Sequence, residues 1–104
     1  MFDAKEALNQ LARATNGPNR LTAMIGAKNF AQSKEGAWVS FRFPMKARNR
    51  ANHVKISLNS NDLYDVEFGR IHGTRFRVVG EARDMFGDAL KPHFEEETGL
   101  HLSL

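Results

Sequence analysis

Three segments in the middle of the chain alternate apolar and polar residues, and this period of two constrains the fold more than any other feature. Because successive side chains of a strand point to opposite faces, each segment predicts a β-strand with one apolar face. Short connections between such strands favour antiparallel pairing, so the chain needs a sheet whose apolar side is covered by something else. The apolar members are Val39, Phe41, Phe43, Val54, Ile56, Leu58, Tyr64, Val66 and Phe68.

Two further segments extend the predicted sheet to four or five strands. Residues 75–80 alternate in the same way, and we expect Phe76 and Val78 to point toward the core while the arginines between them point outward. Residues 21–27 place apolar residues at every second position, which predicts another extended segment.

Two segments with helical spacing can cover the apolar side of this sheet. The first begins with Asp3 as a predicted N-cap and ends at Asn16-Gly17-Pro18, since proline cannot continue a helix. The second is predicted from about residue 81 to residue 98, with a kink at Pro92 and Gly99 as its C-terminal cap.

This order of elements predicts an α+β fold: an N-terminal helix, a four- or five-stranded antiparallel sheet and a C-terminal helix, arranged as a two-layer sandwich. The length of 104 residues suits a single domain spanning 1–104. The sequence has no cysteine and no apolar run near the ~20 residues of a membrane span. The N-terminus lacks the pattern of a secretion signal, so we expect a cytoplasmic protein with no membrane contact.

Positive charge is concentrated in the first part of the chain. Residues 7–61 carry nine Lys/Arg and one acid, whereas residues 62–104 carry nine acids and five Lys/Arg. Between residues 41 and 58 there are five basic residues and no acid. This distribution predicts an anionic partner, and the alternative is a fold that interleaves the two halves so that their charges neutralise.

The sheet face turned away from the helices is predicted to carry one large aromatic side chain among basic ones. Such a face suits single-stranded nucleic acid, because bases stack on the ring while phosphates meet the cations. The alternatives are a solvated basic loop that deters edge-to-edge association, and a tryptophan that joins the core after a one-residue shift in register. The predicted nucleic-acid-binding residues are Trp38 for stacking and Arg42, Lys46, Arg48, Arg50 and Lys55 for phosphates.

No pattern indicates an enzyme, a cofactor or a metal. The four histidines lack the spacing of metal ligands, and a structural zinc site without cysteine is not expected. Asp65 and Glu67 share a strand face, where we expect them to pair with the arginines of the next strand. Gly69 and Gly73 do not have the spacing of a phosphate loop and predict a bulge and a turn.

Three short motifs carry a family resemblance. Residues 23–30 read AMIGAKNF, residues 63–73 read LYDVEFGRIHG, and residues 98–100 read TGL near the end of the chain. The combination of A-M-x-G-A-K-N-F, L-Y-D-x-x-F-G-x-I-x-G and T-G-L resembles a group of small proteins encoded by bacteriophages and prophages. The resemblance covers most of the chain after residue 16. It implies a viral origin, with no assigned activity and no catalytic residues.

Three hypotheses for function follow. The first is a non-enzymatic nucleic-acid-binding module that uses the basic loop and the open sheet face. The second is a phage-encoded inhibitor of a host protein, of the anti-CRISPR or another anti-defence kind. Its basic surface would fit an acidic groove, or the acids at 95–97 would mimic nucleic acid. The third is a structural homo-oligomer that buries the open face against a copy of itself.

Overall fold

The computed structural model describes residues 4–13, 16–34, 37–44 and 46–102. The elements in chain order are α1 Ala4–Ala12, α2 Gly17–Ile25, β1 Lys28–Gln32, β2 Trp38–Arg42, β3 His53–Leu58, β4 Tyr64–His72, β5 Arg75–Met85, a short 3-10 helix Gly87–Ala89 and α3 Leu90–Thr98. The strands form one antiparallel sheet in the order β1-β2-β3-β4-β5, which confirms the predicted α+β fold. Among these residues, no helix has the length and apolar character needed to cross a membrane.

The core lies on the face of the sheet that the helices cover. Phe94 of α3 joins the two layers, since its ring centroid lies 5.6 Å from that of Phe43 and 5.9 Å from that of Phe68. Burial of a large apolar side chain contributes about 1.5–3 kcal/mol, so these contacts dominate the stability of the domain. The predicted inward residues that are buried are Val39, Phe41, Phe43, Val54, Ile56, Val66 and Phe68.

Residues 21–27 are not a strand, so that prediction is wrong: most of the segment belongs to α2. Leu21 and Ile25 are four residues apart and both buried, which is the period of a helix. Pro18 lies in the first turn, where its missing N–H is not needed. Gly26 ends the helix with φ of 71°, and its N–H donates to the carbonyl of Thr22 at 2.9 Å.

α1 and α2 approach each other most closely at Gly17. A Cβ atom on Gly17 would lie only 2.5 Å from the carbonyl carbon of Leu8, and the Gly17 N–H donates to Oδ1 of Asn9 at 2.7 Å. Only glycine fits this position. The segment 16–18, predicted to end the helical region, instead begins a second helix. The predicted N-cap of α1, Asp3, lies outside the described residues.

The last strand is longer than predicted, because residues 81–85 belong to β5 and not to a helix. Tyr64, the first residue of β4, pairs with Met85, so β5 supplies hydrogen-bond partners along the full length of its neighbour. The backbone groups of a long strand need such partners, and this requirement outweighs the helical spacing of the apolar residues after position 84.

The last helix begins only at Leu90. Pro92 therefore lies in its first turn, where backbone N–H groups have no helical acceptor. The missing N–H of Pro92 breaks no helical hydrogen bond there, so nothing produces the predicted kink. Gly99 caps the helix as predicted, with φ of 74° and its N–H donating to the carbonyl of Glu95 at 2.9 Å.

β5 turns two large apolar side chains away from the core. Phe76 is 50% exposed and Val78 is 47% exposed, so the prediction that they face the helices is wrong. A bulge adds one residue to β5 and reverses the alternation between the bulge and the β4–β5 turn. The turn itself lies at Gly73, as predicted, with φ of 63°.

The bulge lies opposite Gly69. Phe68 pairs with Gly80, whereas Gly69 pairs with Val78, which leaves Val79 as the extra residue. This irregularity confirms the bulge that the sequence predicts at Gly69. It also moves the arginines at 75 and 77 to the opposite face from the one predicted.

We predict that Gly17→Ala lowers the free energy of unfolding by about 1–3 kcal/mol, because the new methyl group meets backbone atoms that cannot move aside. The measurement is urea denaturation followed by circular dichroism.

The matched control is Gly80→Ala, whose Cβ would find its nearest atom, Oε1 of Glu97, at 3.4 Å. We expect it to change stability by less than about 0.5 kcal/mol. Equal effects of the two substitutions would contradict the close approach at Gly17.

Candidate nucleic-acid interface

A cleft of about 950 Å³ opens at one end of the sheet, between the connection 43–52 and the β4–β5 hairpin. None of the described residues that line it is an aspartate or a glutamate. Five of its basic side chains are exposed and Arg42 is half-buried. We call this site the cationic cleft, and its basic residues are Lys28, Arg42, Lys46, Arg50, Arg70 and Arg77.

The remaining lining of the cationic cleft is mostly apolar, with two asparagines. A ligand in this site therefore meets cations around its edge and hydrocarbon surface between them, which suits a molecule that carries both anionic groups and flat apolar groups. These lining residues are Phe43, Pro44, Ala47, Asn49, Ala51, Asn52, Val78 and Val79.

The connection 43–52 is fixed at two points. The Arg48 N–H donates to the carbonyl of Thr98 at 2.6 Å, and the Arg48 guanidinium donates to the carbonyl of Glu96. Near the other end, the Asn52 amide donates to the Ile71 carbonyl at 2.9 Å and accepts from the Ile71 N–H at 2.8 Å. The basic connection is thus held against α3 and β4, not free as a solvated loop.

Arg48, predicted as a phosphate ligand, lies outside the cationic cleft. Its guanidinium meets the C-terminal end of α3, where backbone carbonyls lack helical partners and a positive charge is favourable. In the folded chain this side chain stabilises the docking of the connection 43–52.

Trp38 and Lys55 lie on the open face, as predicted, but also outside the cationic cleft. The Lys55 Nζ lies 5.4 Å from the centroid of the Trp38 ring, a cation–π distance. Trp38 pairs with Ser57, whereas Arg42 pairs with His53 at the other end of β2. Four residues of strand separate the two positions by about 13 Å. Of the six predicted residues, the cleft brings together only three.

The sequence-based prediction missed Lys28, Arg70 and Arg77, which supply half of the cleft's cations. Arg70 and Arg77 are a direct cross-strand pair, and Lys28 lies opposite Arg42 on β1. One signal was present in the sequence: the two-residue turn that begins at Gly73 places 70 and 77 at equal distances from the tip of the hairpin.

The rest of the open face is acidic along β4 and β5. Glu67 of β4 pairs with Lys55 on β3 and with Glu81 on β5. Asp65 accepts a hydrogen bond from the Asn59 amide at 2.9 Å. The prediction that these acids pair with the arginines at 75 and 77 is therefore wrong, because the register places those arginines opposite His72 and Arg70, near the turn. No group of three or more acidic or histidine side chains that could hold a metal ion is present among the described residues.

His53 lies beside Arg42 on the open face. Burial of the imidazole lowers the pKa of His53 below its ordinary value of 6.5, and the charge of Arg42 lowers it further. Glu67 opposes this shift and Lys55 adds to it. The ring of Phe76 meets the imidazole edge-on, at 5.6 Å between centroids.

We predict that Arg48→Ala lowers the free energy of unfolding by about 1 kcal/mol, because the carbonyl of Glu96 loses its partner. Arg50→Ala is the matched control: it removes the same charge from the same connection, and we expect a change within about 0.5 kcal/mol. Urea denaturation of both variants tests the assignment, and an equal loss in the two would contradict it.

We predict that stability falls as the pH drops from 6.5 toward the lower folded pKa of His53, because the unfolded chain takes up a proton there before the folded chain does. Urea denaturation between about pH 7.5 and about pH 5.5 should show a flatter dependence in His53→Gln than in the wild type. An unchanged dependence in His53→Gln would contradict this role of His53.

Comparison of the chain with models of known protein families, with curated proteins and with solved structures gave no match, so the functional argument rests on the geometry of the cationic cleft.

Proposed function

We propose that this protein is a non-enzymatic module that binds nucleic acid in the cationic cleft. The observation that carries the proposal is the convergence of six basic side chains in a site where none of the described lining residues is acidic. Cations that line one cleft repel each other, and a bound polyanion replaces this repulsion with attraction. Neutralised phosphates also release counterions, which supplies most of the affinity of such sites.

The shape and lining of the cleft support a single strand over a duplex. Its surface between the cations is apolar, with the exposed side chains of Pro44 and Val78 among the lining residues. Unpaired bases can contact such a surface, whereas the bases of a duplex are already stacked on each other.

The resemblance to phage and prophage proteins supports a role in genome handling inside an infected bacterium. An inhibitor of a host defence protein remains the second candidate, because the same cleft also suits an acidic protein surface. The acids at 95–97 support mimicry of nucleic acid less well. The carboxylate of Glu95 already accepts the Leu102 N–H at 2.8 Å, so one of the three acids is engaged within the chain.

We predict that Arg50→Gln with Arg77→Gln weakens binding to a fluorescent single-stranded oligonucleotide. Both side chains line the cleft, and neither is needed to anchor the connection 43–52. Fluorescence anisotropy over a salt series should give a log–log slope that is shallower than the wild-type slope by about 1.4, which is the loss of two phosphate contacts.

The matched control is Arg20→Gln with Lys34→Gln, which removes the same charge from exposed positions outside the cleft. This control should keep the wild-type slope. Equal weakening in both double variants would place binding elsewhere, and a wild-type protein that binds no oligonucleotide at low salt would overturn the proposal. Light scattering on the same samples tests the alternative of a homo-oligomer.

A further inference from the structure

Next to the cationic cleft, the open face carries two exposed apolar side chains that the fold of the domain does not use. Phe76 and Val78 lie there at 50% and 47% exposure, and Val78 also lines the cleft. The ring of Phe76 contacts His53, whose cross-strand partner on β2 is the cleft residue Arg42. The bulge in β5 thus places an aromatic ring on the same sheet face as a cation of the cleft.

The ring of Phe76 is held in a defined position. It lies against the backbone of Gly69, where a Cβ atom would come within 2.4 Å of the ring carbon Cε2. The imidazole of His53 packs against it at an interplanar angle of 89°. An aromatic ring that is supported by backbone on one side and exposed by half of its surface suits a flat ligand without a large cost of ordering.

The other surface aromatic residues that the structure describes do not offer this arrangement. Lys55 lies over the ring of Trp38, and Phe30 packs on Phe41 at 5.4 Å between centroids. Phe86 is 66% exposed, but the residues that follow it line a different depression, which includes Glu6 and Asp88.

We infer that Phe76 is the base-stacking residue of the site and selects single-stranded nucleic acid, while the cleft's cations hold the neighbouring phosphates. This inference rests on the proposed function and adds its ligand class. Every nucleobase has a face that can stack on an aromatic ring, but in a duplex those faces are occupied. Phe76 therefore contributes affinity only when unpaired bases are present, and the cations contribute with any polyphosphate.

The experiment compares two probes in the same buffer: a labelled oligothymidylate, and inorganic polyphosphate of similar charge, which has no bases. Phe76→Leu should weaken binding to the oligothymidylate by about five- to a hundredfold, the usual effect of losing one stacked base. Binding to polyphosphate should stay at the wild-type level. Phe76→Tyr should retain the affinity for both probes, and Phe86→Leu is the matched control for removal of an exposed phenylalanine.

Gly69→Ala provides a second variant, because its methyl group displaces the Phe76 ring without removing it. It should produce the same loss for the oligothymidylate alone. Trp38 is the single tryptophan of the chain, and its fluorescence should stay nearly constant when the oligothymidylate binds. Strong quenching would assign stacking to Trp38 and overturn the inference.

The two proposals fail in different ways. If Phe76→Leu weakens both probes equally, or neither, the assignment of Phe76 is wrong although the cleft still binds polyanions. If the wild-type protein binds polyphosphate at least as tightly as the oligothymidylate, single-strand selection by Phe76 is also overturned, and an acidic protein partner becomes the better candidate. If the wild type binds neither probe at low salt, both proposals fall.

Discussion

The docking of Arg48 on the C-terminal end of α3 decides where the positive charge of this chain lies. Without it, the described residues of the connection 43–52 would be held against the sheet only near its ends, through Phe43 and Asn52. With it, and with Asn52 bound to β4, the side chains of Lys46 and Arg50 line a cleft opposite the β4–β5 hairpin. When the cations of a site are already in position, an anion binds without the cost in affinity of ordering them. This preorganisation favours specific binding in the cleft over a general attraction between opposite charges.

The bulge opposite Gly69 has the second largest influence on the site. It turns Phe76 to the open face and Arg77 to the face of Arg70, so a one-residue irregularity sets the position of the exposed ring and of one of the cleft's six cations. Acids along β4 and β5 disfavour phosphates across the middle of the open face. The anion-binding surface is consequently at the end of the sheet, and the open face as a whole is not the nucleic-acid surface that charge counts alone suggest.

The sequence predicted correctly those parts of the fold where the spacing of apolar residues fits only one type of secondary structure. The alternation through β2, β3 and β4 is unambiguous, and the structure confirms it. The apolar residues at 21 and 25 fit either a strand or one face of a helix, and only packing on α1 favours α2. A bulge can be predicted from Gly69, but not the side of the hairpin on which the extra residue falls. The sequence-based prediction missed half of the cleft's basic residues because they are distant in sequence from the connection 43–52. The docking of Arg48 is a tertiary contact that no local sequence pattern predicts.

The most direct test of the central claim is a titration of the isotopically labelled protein with a short single-stranded oligonucleotide, followed by amide chemical shifts. Binding in the cationic cleft predicts the largest changes at residues 46–52, 69–71 and 76–79, and small changes at Trp38 and on the helices. Shifts concentrated around Trp38 and the middle of the open face, or no shifts at low salt, would contradict this account.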